Sequence, residues 1–225
     1  MGATVNKPGI CTTVQDLGRR GYLGSGFSPS GVMDKRAART ANLLLDNDEN
    51  APVLEFCLAG PTIRFTTNTF VSITGGDFSP TIDGKPAPMY RALMVRRGSV
   101  LAFGAPKTGV YGYLAIAGGS IDVPRVMGST STNLKCGIGG WHGRALSSGD
   151  YLPFRTPTVD FIANLGSHAV PPDDYYGFTE DETVLRVIPG PQEDMFTEDG
   201  VATFYGETYT TTSKSDRMGF RLEGP

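Results

Sequence analysis

A run of glycines, hydroxyls and cations at residues 12–42 is the first part of the chain whose residue types could do chemistry. It reads TTVQDLGRRGYLGSGFSPSGVMDKRAARTAN. Glycine adopts backbone shapes with positive φ and lets a ligand approach the main chain. The guanidinium groups of Arg19 and Arg20 offer forks of donors that match a carboxylate or a phosphate. The segment predicts an anion-binding loop, and a solvated turn is the alternative.

A helix is predicted around residues 31 to 46, directly after this loop. On a 3.6-residue period, one face carries Met33, Ala37, Ala41 and Leu44, and the other carries Lys35, Arg39 and Asn42. Ser30 and Asp34 lie near the start of this helix, where unpaired N–H groups and the positive dipole end favour anions and oxygen caps. The two residues are therefore either helix caps or parts of an anion site.

The rest of the chain is predicted to be mainly β. Short apolar runs are separated by Gly, Pro, Asp and Asn, as in TIRFTTNTFVSITGGD, VYGYLAIAGG and ATFYGETYTTT. The Asp83-Gly84 pair suits the left-handed positions of a tight hairpin turn. An acidic stretch, HAVPPDDYYGFTEDE, predicts a linker before the strand-like run TVLRVIPGP.

Composition excludes several classes of function. The 225 residues include 20 basic and 23 acidic side chains, for a net charge of −3, so the basic excess of a nonspecific nucleic-acid binder is missing. No apolar run approaches the roughly 20 residues needed to cross a bilayer, and the N-terminus lacks a signal-peptide core. A cytoplasmic protein without nucleic-acid or membrane partners is predicted.

The cysteines and histidines are few and widely spaced. Cys11, Cys57 and Cys136 form no C-x-x-C pair, so they are interpreted as buried thiols rather than as a disulfide framework or a zinc site. His142 and His168 are the only histidines, and neither lies in a metal-ligand spacing, so no metal site is predicted.

Two further polar clusters follow. Residues 128–150, GSTSTNLKCGIGGWHGRALSSGD, combine hydroxyls, cations and close glycines. Ser129 and Ser131 could donate to a carboxylate or phosphate there, although a turn-rich connection is an equal alternative. The third cluster, SDRMGFRL, contains Asp216 and Arg217, which in isolation resemble a surface ion pair.

Taken in order along the chain, several motifs resemble one family. They are TTVQDLGRRGY, SPSGVMDKRAARTANLLLDN, LEFCLAGPTIRF, YLAIAGG, GSTST, GGWHGRALSSGD, VIPGPQ and SDRMGFRLEGP. The chain is identified as a member of the allophanate hydrolase subunit 2 family. That family includes the KipA-type C subunit of bacterial 5-oxoprolinase and the carboxyltransferase domain of urea carboxylase.

The resemblance implies a mainly β fold of tandem cyclophilin-like barrel domains with a few short helices. We expect the first domain at residues 1–170, a linker at 171–183 and the start of the second domain at 184–225. Because chains of the family continue beyond SDRMGFRLEGP, the second domain is expected to be incomplete.

The resemblance also implies a function and a site. The first hypothesis is the C subunit of an ATP-dependent 5-oxoprolinase, a lactam hydrolase. It would share ATP with two partner subunits, one of the KipI type and one of the LamB/YcsF type. Within the matching motifs, Asp34 and Asp216 are candidate bases or orienting groups. The candidate ligands of the substrate or of an anion are Arg19, Ser30, Asn42, Ser129, Ser131, Arg144 and Arg217.

Two other functions remain open from the sequence. The chain could be a biotin-dependent carboxyltransferase acting on a urea-like or amide acceptor, with biotin on a separate carrier. It could also be a KipA-type regulator that binds a KipI-like kinase inhibitor without turnover.

Two residues depart from the family's motifs. Thr130 occupies the usual arginine position of G-S-R-S-T, and His142 occupies the usual acidic position of G-G-x-E-G-R. The first change removes a permanent cation, and the second replaces an anion with a group that titrates near neutrality. The substrate or subtype is therefore expected to differ.

Overall fold

The chain divides into two compact units, Met1–Thr179 and Glu180–Pro225. The computed structural model describes residues 1–155, 157, 168–171, 184–217 and 219–225. Apart from Pro171, the predicted linker at residues 171–183 lies outside the described residues.

The described residues of the first unit form two antiparallel sheets. The strands of sheet one are β1 (Gly2–Lys7), β4 (Thr62–Phe65), β6 (Thr81–Ile82), β7 (Lys85–Pro86), β9 (Val100–Ala102) and β11 (Tyr151–Pro153), in the order β11-β1-β4-β9-β6-β7. The strands of sheet two are β2 (Cys11–Gln15), β3 (Val53–Cys57), β5 (Thr69–Asp77), β8 (Leu93–Val95) and β10 (Thr108–Ile116), in the order β2-β3-β10-β5-β8. The mainly β prediction is confirmed. Within the described residues both sheets have edge strands, so they are open rather than closed barrels.

The main core lies between the two sheets. Alternate side chains of each strand point into it, since successive residues of a strand face opposite sides. Sheet one contributes Val5, Ile63, Phe65, Leu101 and Leu152, and sheet two contributes Val14, Leu54, Phe56, Ile73 and Leu114, among others. Each of these side chains is almost completely buried.

The opposite face of sheet two packs against one helix, α1 (Lys35–Leu43). Its small buried residues, Ala37, Ala38 and Ala41, allow a close approach to the sheet. The contact is partly polar, because Ser72 and Thr74 donate their hydroxyls to the carbonyls of Ala41 (2.5 Å) and Ala37 (2.8 Å). Sheet one, sheet two and α1 therefore form three successive layers.

The predicted helix at 31 to 46 is shorter than expected. The amides of Gly31, Val32 and Met33 bond to acceptors on β2, β3 and the residue that follows β2, rather than to the helix. Asn42 was predicted on the polar face and is instead buried, with 1% of its surface exposed. Its Nδ2 donates to Ala51 O (2.9 Å), so it stabilises the turn after the helix.

The hairpin predicted at Asp83-Gly84 is confirmed. Both residues have positive φ, 52° and 78°, and they join β6 to β7. β10 confirms the strand predicted in VYGYLAIAGG, although residues 112–116 are buried on both faces rather than on one.

The described residues of the second unit form a 3-10 turn (Glu193–Met195), one α-helix, α2 (Glu198–Gly206), and a short antiparallel pair, β12 (Thr210–Thr211) and β13 (Leu222–Glu223). Thr197 caps α2 by accepting from Gly200 N (3.1 Å), and Glu198 and Asp199 lie in its first turn, where the helix dipole favours them. The strand prediction for ATFYGETYTTT is only partly confirmed, since residues 202–206 are helical and Thr210–Thr211 form β12. The strand prediction for TVLRVIPGP is wrong, since residues 184–190 form no strand.

Among the helices of the described residues, none is long and apolar enough to cross a membrane.

Candidate functional site

The carboxylate of Asp16, directly after β2, is the most heavily hydrogen-bonded acidic group among the described residues of the first unit. Its Oδ1 accepts from Gly18 N (2.8 Å), Ser129 Oγ (2.6 Å) and Ser131 Oγ (2.6 Å). Its Oδ2 accepts from the backbone N (2.7 Å) and Oγ1 (3.0 Å) of Thr130. We call these five residues the Asp16 clasp. It joins the first polar segment of the sequence to the second.

The clasp keeps Asp16 ionised. Burial of the side chain, of which 2% is exposed, raises the pKa. The hydrogen bonds from Ser129, Ser131, Thr130 and Gly18 stabilise the charged form and outweigh that effect, so the pKa of Asp16 lies below its ordinary value.

Acid titration should reveal this stabilisation. A carboxyl whose pKa is lower in the folded state stabilises the fold above its unfolded pKa, near pH 4, and loses that contribution as the pH falls through the folded value. The difference in free energy of unfolding between wild type and Asp16→Asn should be constant from pH 7 to about pH 5. It should shrink on further acidification. Urea titrations by circular dichroism at each pH measure it, and a gap that stays constant at acid pH would contradict the assignment.

Arg19 lies beside the clasp and is also buried, with 2% exposed. Its Nε donates to Val126 O (3.1 Å) and its Nη2 to Ser131 O (3.1 Å). Nη1 is buried and has no hydrogen-bond partner among the described residues. The guanidinium therefore fixes residues 126–131 through two hydrogen bonds. Its third nitrogen, Nη1, has no acceptor within the described part of the chain.

A glycine-rich segment, residues 137–143, lies against Arg19. Gly139 has a φ of +70°, and a Cβ added there would meet the Ser131 carbonyl and lie 2.9 Å from Nη2 of Arg19. Only glycine allows both the backbone conformation and this close approach. The close approach that glycine permits here is therefore made by protein groups, the Ser131 carbonyl and the Arg19 guanidinium.

A second buried carboxylate, Glu55, lies in the middle of β3 and faces α1. Its Oε2 accepts from Met33 N (2.7 Å) and from Tyr113 Oη (2.9 Å), and Tyr113 Oη in turn accepts from Asp34 N (2.7 Å). Burial, followed by the negative charge of Glu55, raises the pKa of Tyr113. Tyr113 therefore remains a neutral donor, and the pair fixes the turn that precedes α1.

Asp34 is the N-cap of α1. Its Oδ1 accepts from Ala37 N (2.9 Å), and the residue is half-exposed. Ser30 is also half-exposed and has a φ of +53°. The neighbouring Gly31 N donates to Oε1 of Gln15 (3.1 Å). Asp34 and Ser30 thus lie on the solvent-exposed side of a turn whose backbone is hydrogen-bonded to β2 through Gly31 N and Gln15.

The remaining candidates of the first unit have internal partners. Ser129 and Ser131 are completely buried and donate to Asp16. Arg144 makes a two-pronged ion pair with Asp150, at 2.8 Å for each pair of atoms, and lowers the pKa of Asp150 to about 2. Ser129, Ser131 and Arg144 therefore all bind carboxylates of the protein itself. Their predicted roles as ligands of an external anion stay predictions.

Asp216 and Arg217 lie in the second unit and are exposed. The backbone groups of Asp216 and Gly219 bond to one another across a tight turn. The predicted catalytic role of Asp216 and the binding role of Arg217 stay predictions.

The two departures from the family motifs lie in different environments. Thr130 is buried and gives Asp16 two hydrogen bonds, one from its backbone and one from its hydroxyl. His142 is exposed, has a φ of +54° and packs edge-on against Trp141 at a ring separation of 4.7 Å. Thr130 therefore belongs to the framework, whereas His142 is accessible.

Sequence reasoning missed Asp16, Glu55 and Tyr113. Glu55 could have been identified from its place inside the apolar run VLEFC. A charged residue there indicates a buried carboxylate with hydrogen-bond partners, because an unpaired charge is almost never buried. Asp16 could have been suspected from the hydroxyl run Ser129-Thr130-Ser131, which suits a buried carboxylate as well as a bound anion. No group of three or more metal-ligating side chains occurs in the described residues.

Comparison with known proteins places these features in context. A family model described as "Carboxyltransferase domain, subdomain A and B" matches residues 25–225. The chain is 39% identical over 218 residues to the C subunit of 5-oxoprolinase from Escherichia coli K12, covering 97% of this chain and 67% of that protein. It is 38% identical over 229 residues to urea amidolyase of Lachancea kluyveri, covering 98% of this chain and 12% of that protein.

Solved structures give a similar result. The chain superimposes on the crystal structure of Kluyveromyces lactis urea amidolyase with a TM-score of 0.84 and 31% identity, covering 100% of this chain and 14% of that one. A second structure, TTHA0988, matches with a TM-score of 0.76 and 30% identity, covering 100% of this chain and 79% of that one.

Proposed function

Because the chain belongs to the family of the carboxyltransferase domain, subdomains A and B, we propose that it acts as the C subunit of an ATP-dependent 5-oxoprolinase. The reaction is hydrolysis of 5-oxo-L-proline to L-glutamate, with a KipI-type and a LamB/YcsF-type subunit as partners in the cytoplasm. The supporting observation is 39% identity to a protein of that name over 97% of this chain. Since the chain spans about two thirds of that relative, 67% of its length, the complete activity is part of the proposal.

ATP is assigned to the partner subunits rather than to this chain alone. The hydroxyls predicted to bind phosphate, those of Ser129 and Ser131, already donate to the Asp16 carboxylate. A phosphate bound there would lie close to that buried anion, and the repulsion between the two supports assigning ATP to the partner subunits. The sequence also lacks the Gly-x-x-x-x-Gly-Lys-Ser/Thr pattern of a nucleotide loop.

Asp34 is the proposed base. Opening of the lactam requires a water oxygen to add to the carbonyl carbon, loss of a proton from that water, and cleavage of the C–N bond with protonation of nitrogen. Asp34 is half-exposed, and its helix-capping bond occupies one position on one carboxylate oxygen, so it retains acceptor capacity. Tyr113 and Glu55 position it by holding the amides of Asp34 and Met33.

Arg19 is the proposed ligand of the substrate carboxylate. A buried guanidinium nitrogen without a protein acceptor is unfavourable, and an anionic oxygen would satisfy it. Since Nη1 is buried, the substrate would reach it only after the main chain around it moves.

The decisive experiment co-expresses this chain, in the full length that its gene encodes, with its KipI-type and LamB/YcsF-type partners. ATP-dependent release of glutamate from 5-oxoproline is expected. Assembled and folded subunits that release no glutamate would refute the proposal. Binding of the KipI-type partner without turnover would instead indicate the regulatory function.

Variants of this complex test the proposed base. Asp34→Asn should lower kcat at least about 100-fold. Its stability should change by less than about 1 kcal/mol, because asparagine caps a helix as well as aspartate and only the charge near the helix N-terminus is lost. Glu49→Gln is the control, because Glu49 is an exposed carboxylate that contacts Arg39 on the surface. An Asp34→Asn enzyme with wild-type kcat would remove Asp34 from the mechanism.

A biotin-dependent carboxyltransferase is the second candidate. It is supported by the TM-score of 0.84 and the 31% identity to a urea amidolyase over all of this chain. In that reaction the Arg19 donor would hold the carboxylate of carboxybiotin, on a carrier supplied by another chain. Transfer of labelled carboxylate from carboxybiotin to urea or an amide, with no glutamate released from 5-oxoproline, would establish it.

A further inference from the structure

Two cysteines that are far apart in the sequence lie directly opposite each other in sheet two. β2 and β3 pair antiparallel, and the register places Cys11 opposite Cys57. Directly opposed residues project to the same face of a sheet. Both residues are half-buried, whereas Cys136 is exposed and lies outside this sheet. The fold therefore creates a dithiol that the sequence spacing does not indicate.

The geometry of such a pair suits a disulfide bond. Opposed residues of an antiparallel pair have Cα atoms about 4.5 Å or 5.5 Å apart, depending on the type of pair. Both values fall within the range of about 4.4–6.8 Å found for disulfides. Their Cβ atoms lie about 4.5–5.5 Å apart, whereas a disulfide prefers about 3.8 Å. The strands must close slightly to form the bond, and such strain makes a disulfide easier to reduce.

Reagents have a route to the pair. β2 is an edge strand of sheet two, and neither cysteine is fully buried. We propose that Cys11 and Cys57 form a reversible disulfide by exchange with a small disulfide such as glutathione disulfide. This inference does not depend on the proposed enzymatic function.

The exchange balances in two steps. The thiolate of one cysteine attacks a sulfur of glutathione disulfide, which forms a mixed disulfide and releases one glutathione thiolate. The thiolate of the second cysteine then attacks the protein sulfur of that mixed disulfide, forms the Cys11–Cys57 bond and releases the second glutathione. The two protein thiols lose two protons and two electrons, and glutathione disulfide is reduced to two thiols.

The new bond would close a covalent loop around the predicted site. The segment between the two cysteines contains Arg19, Ser30, Asp34 and Asn42. On the same ladder, the next pair facing the same side is Thr13 and Glu55, and Glu55 holds the turn before α1. The dithiol therefore joins the strands that position this turn.

Peptide mapping of the wild-type chain tests the proposal directly. Trypsin separates the three cysteines into residues 1–19, 40–64 and 136–144. After incubation with glutathione disulfide and blocking of remaining thiols, the first two peptides should be cross-linked and lighter than their sum by two hydrogens. Dithiothreitol should reverse the cross-link. Separate glutathione adducts or blocked thiols on Cys11 and Cys57 would overturn the proposal.

Two controls address geometry and identity. Cross-linking of the folded chain should be on the order of tenfold faster than in urea, because the strands hold the thiols together. Equal rates would show that the fold does not direct the reaction. Cys136→Ser should still cross-link, whereas Cys11→Ser should retain glutathione on Cys57. Loss of the cross-link in Cys136→Ser would contradict the assignment.

Discussion

Replacement of Asp16 by asparagine is expected to lower the free energy of unfolding by about 3–5 kcal/mol. The aspartate accepts five hydrogen bonds, three at Oδ1 and two at Oδ2. Asparagine has nearly the same shape, but its amide nitrogen is a donor and would face donors at one of these two positions. Two or three donors would then be buried without an acceptor, and the negative charge would be lost. Urea titration at neutral pH measures the difference.

Asp122→Asn is a suitable control for this experiment. Asp122 is exposed and lies 3.8 Å from Arg155 in a surface ion pair, so its replacement should change stability by less than about 0.5 kcal/mol. If Asp16→Asn unfolds at the wild-type urea concentration, the hydrogen bonds of the clasp do not stabilise the fold.

Replacement of Arg19 by alanine is expected to lower the free energy of unfolding by about 2–4 kcal/mol. The change leaves a cavity and removes the donors to Val126 O and Ser131 O. The adjacent Arg20 is exposed, so Arg20→Ala should change stability by less than about 0.5 kcal/mol. The pair of variants compares one buried and one exposed guanidinium in the same loop.

Arg19→Met separates packing from charge. Methionine fills much of the same space but carries no cation and, like alanine, removes the donors to Val126 O and Ser131 O. Because it leaves a smaller cavity than alanine, we expect a smaller loss of stability than in Arg19→Ala, about 1–3 kcal/mol, with a large rise in KM for 5-oxoproline in the assembled enzyme. A wild-type KM in Arg19→Met would exclude Arg19 as the substrate ligand.

Local chemistry allowed part of this fold to be predicted from the sequence. The Asp83-Gly84 hairpin depends on residues that tolerate positive φ, and the cap at Asp34 depends on a carboxylate preceding a helix, so both were readable from a few neighbouring residues. The helix at residues 198–206 was missed because YGETYTTT resembles strand sequence, whereas the cap at Thr197 and the acidic first turn decide the local structure. Cys136 was predicted to be buried and is exposed.

The candidate site was less predictable because its partners are distant in the chain. Ser129 and Ser131 have the composition of an anion site, and their nearest anion is the side chain of Asp16. No pattern among neighbouring residues indicates that these serines bind Asp16, because the partners are more than 110 positions apart in the chain. The opposition of Cys11 and Cys57 likewise depends on strand register, which is set by the whole ladder rather than by cysteine spacing.

The Asp16 clasp also sets an order of events while the chain is being made. The Asp16 carboxylate lies 113 positions before its partner Ser129 and 115 before Ser131. At a synthesis rate of about 5–20 residues per second, the serines leave the ribosome roughly 6–23 seconds after Asp16. During that interval β2 can pair with β3, but the carboxylate remains hydrated and the residues after it have no fixed path. The early polar segment of the nascent chain therefore acquires its final conformation only when a late segment arrives.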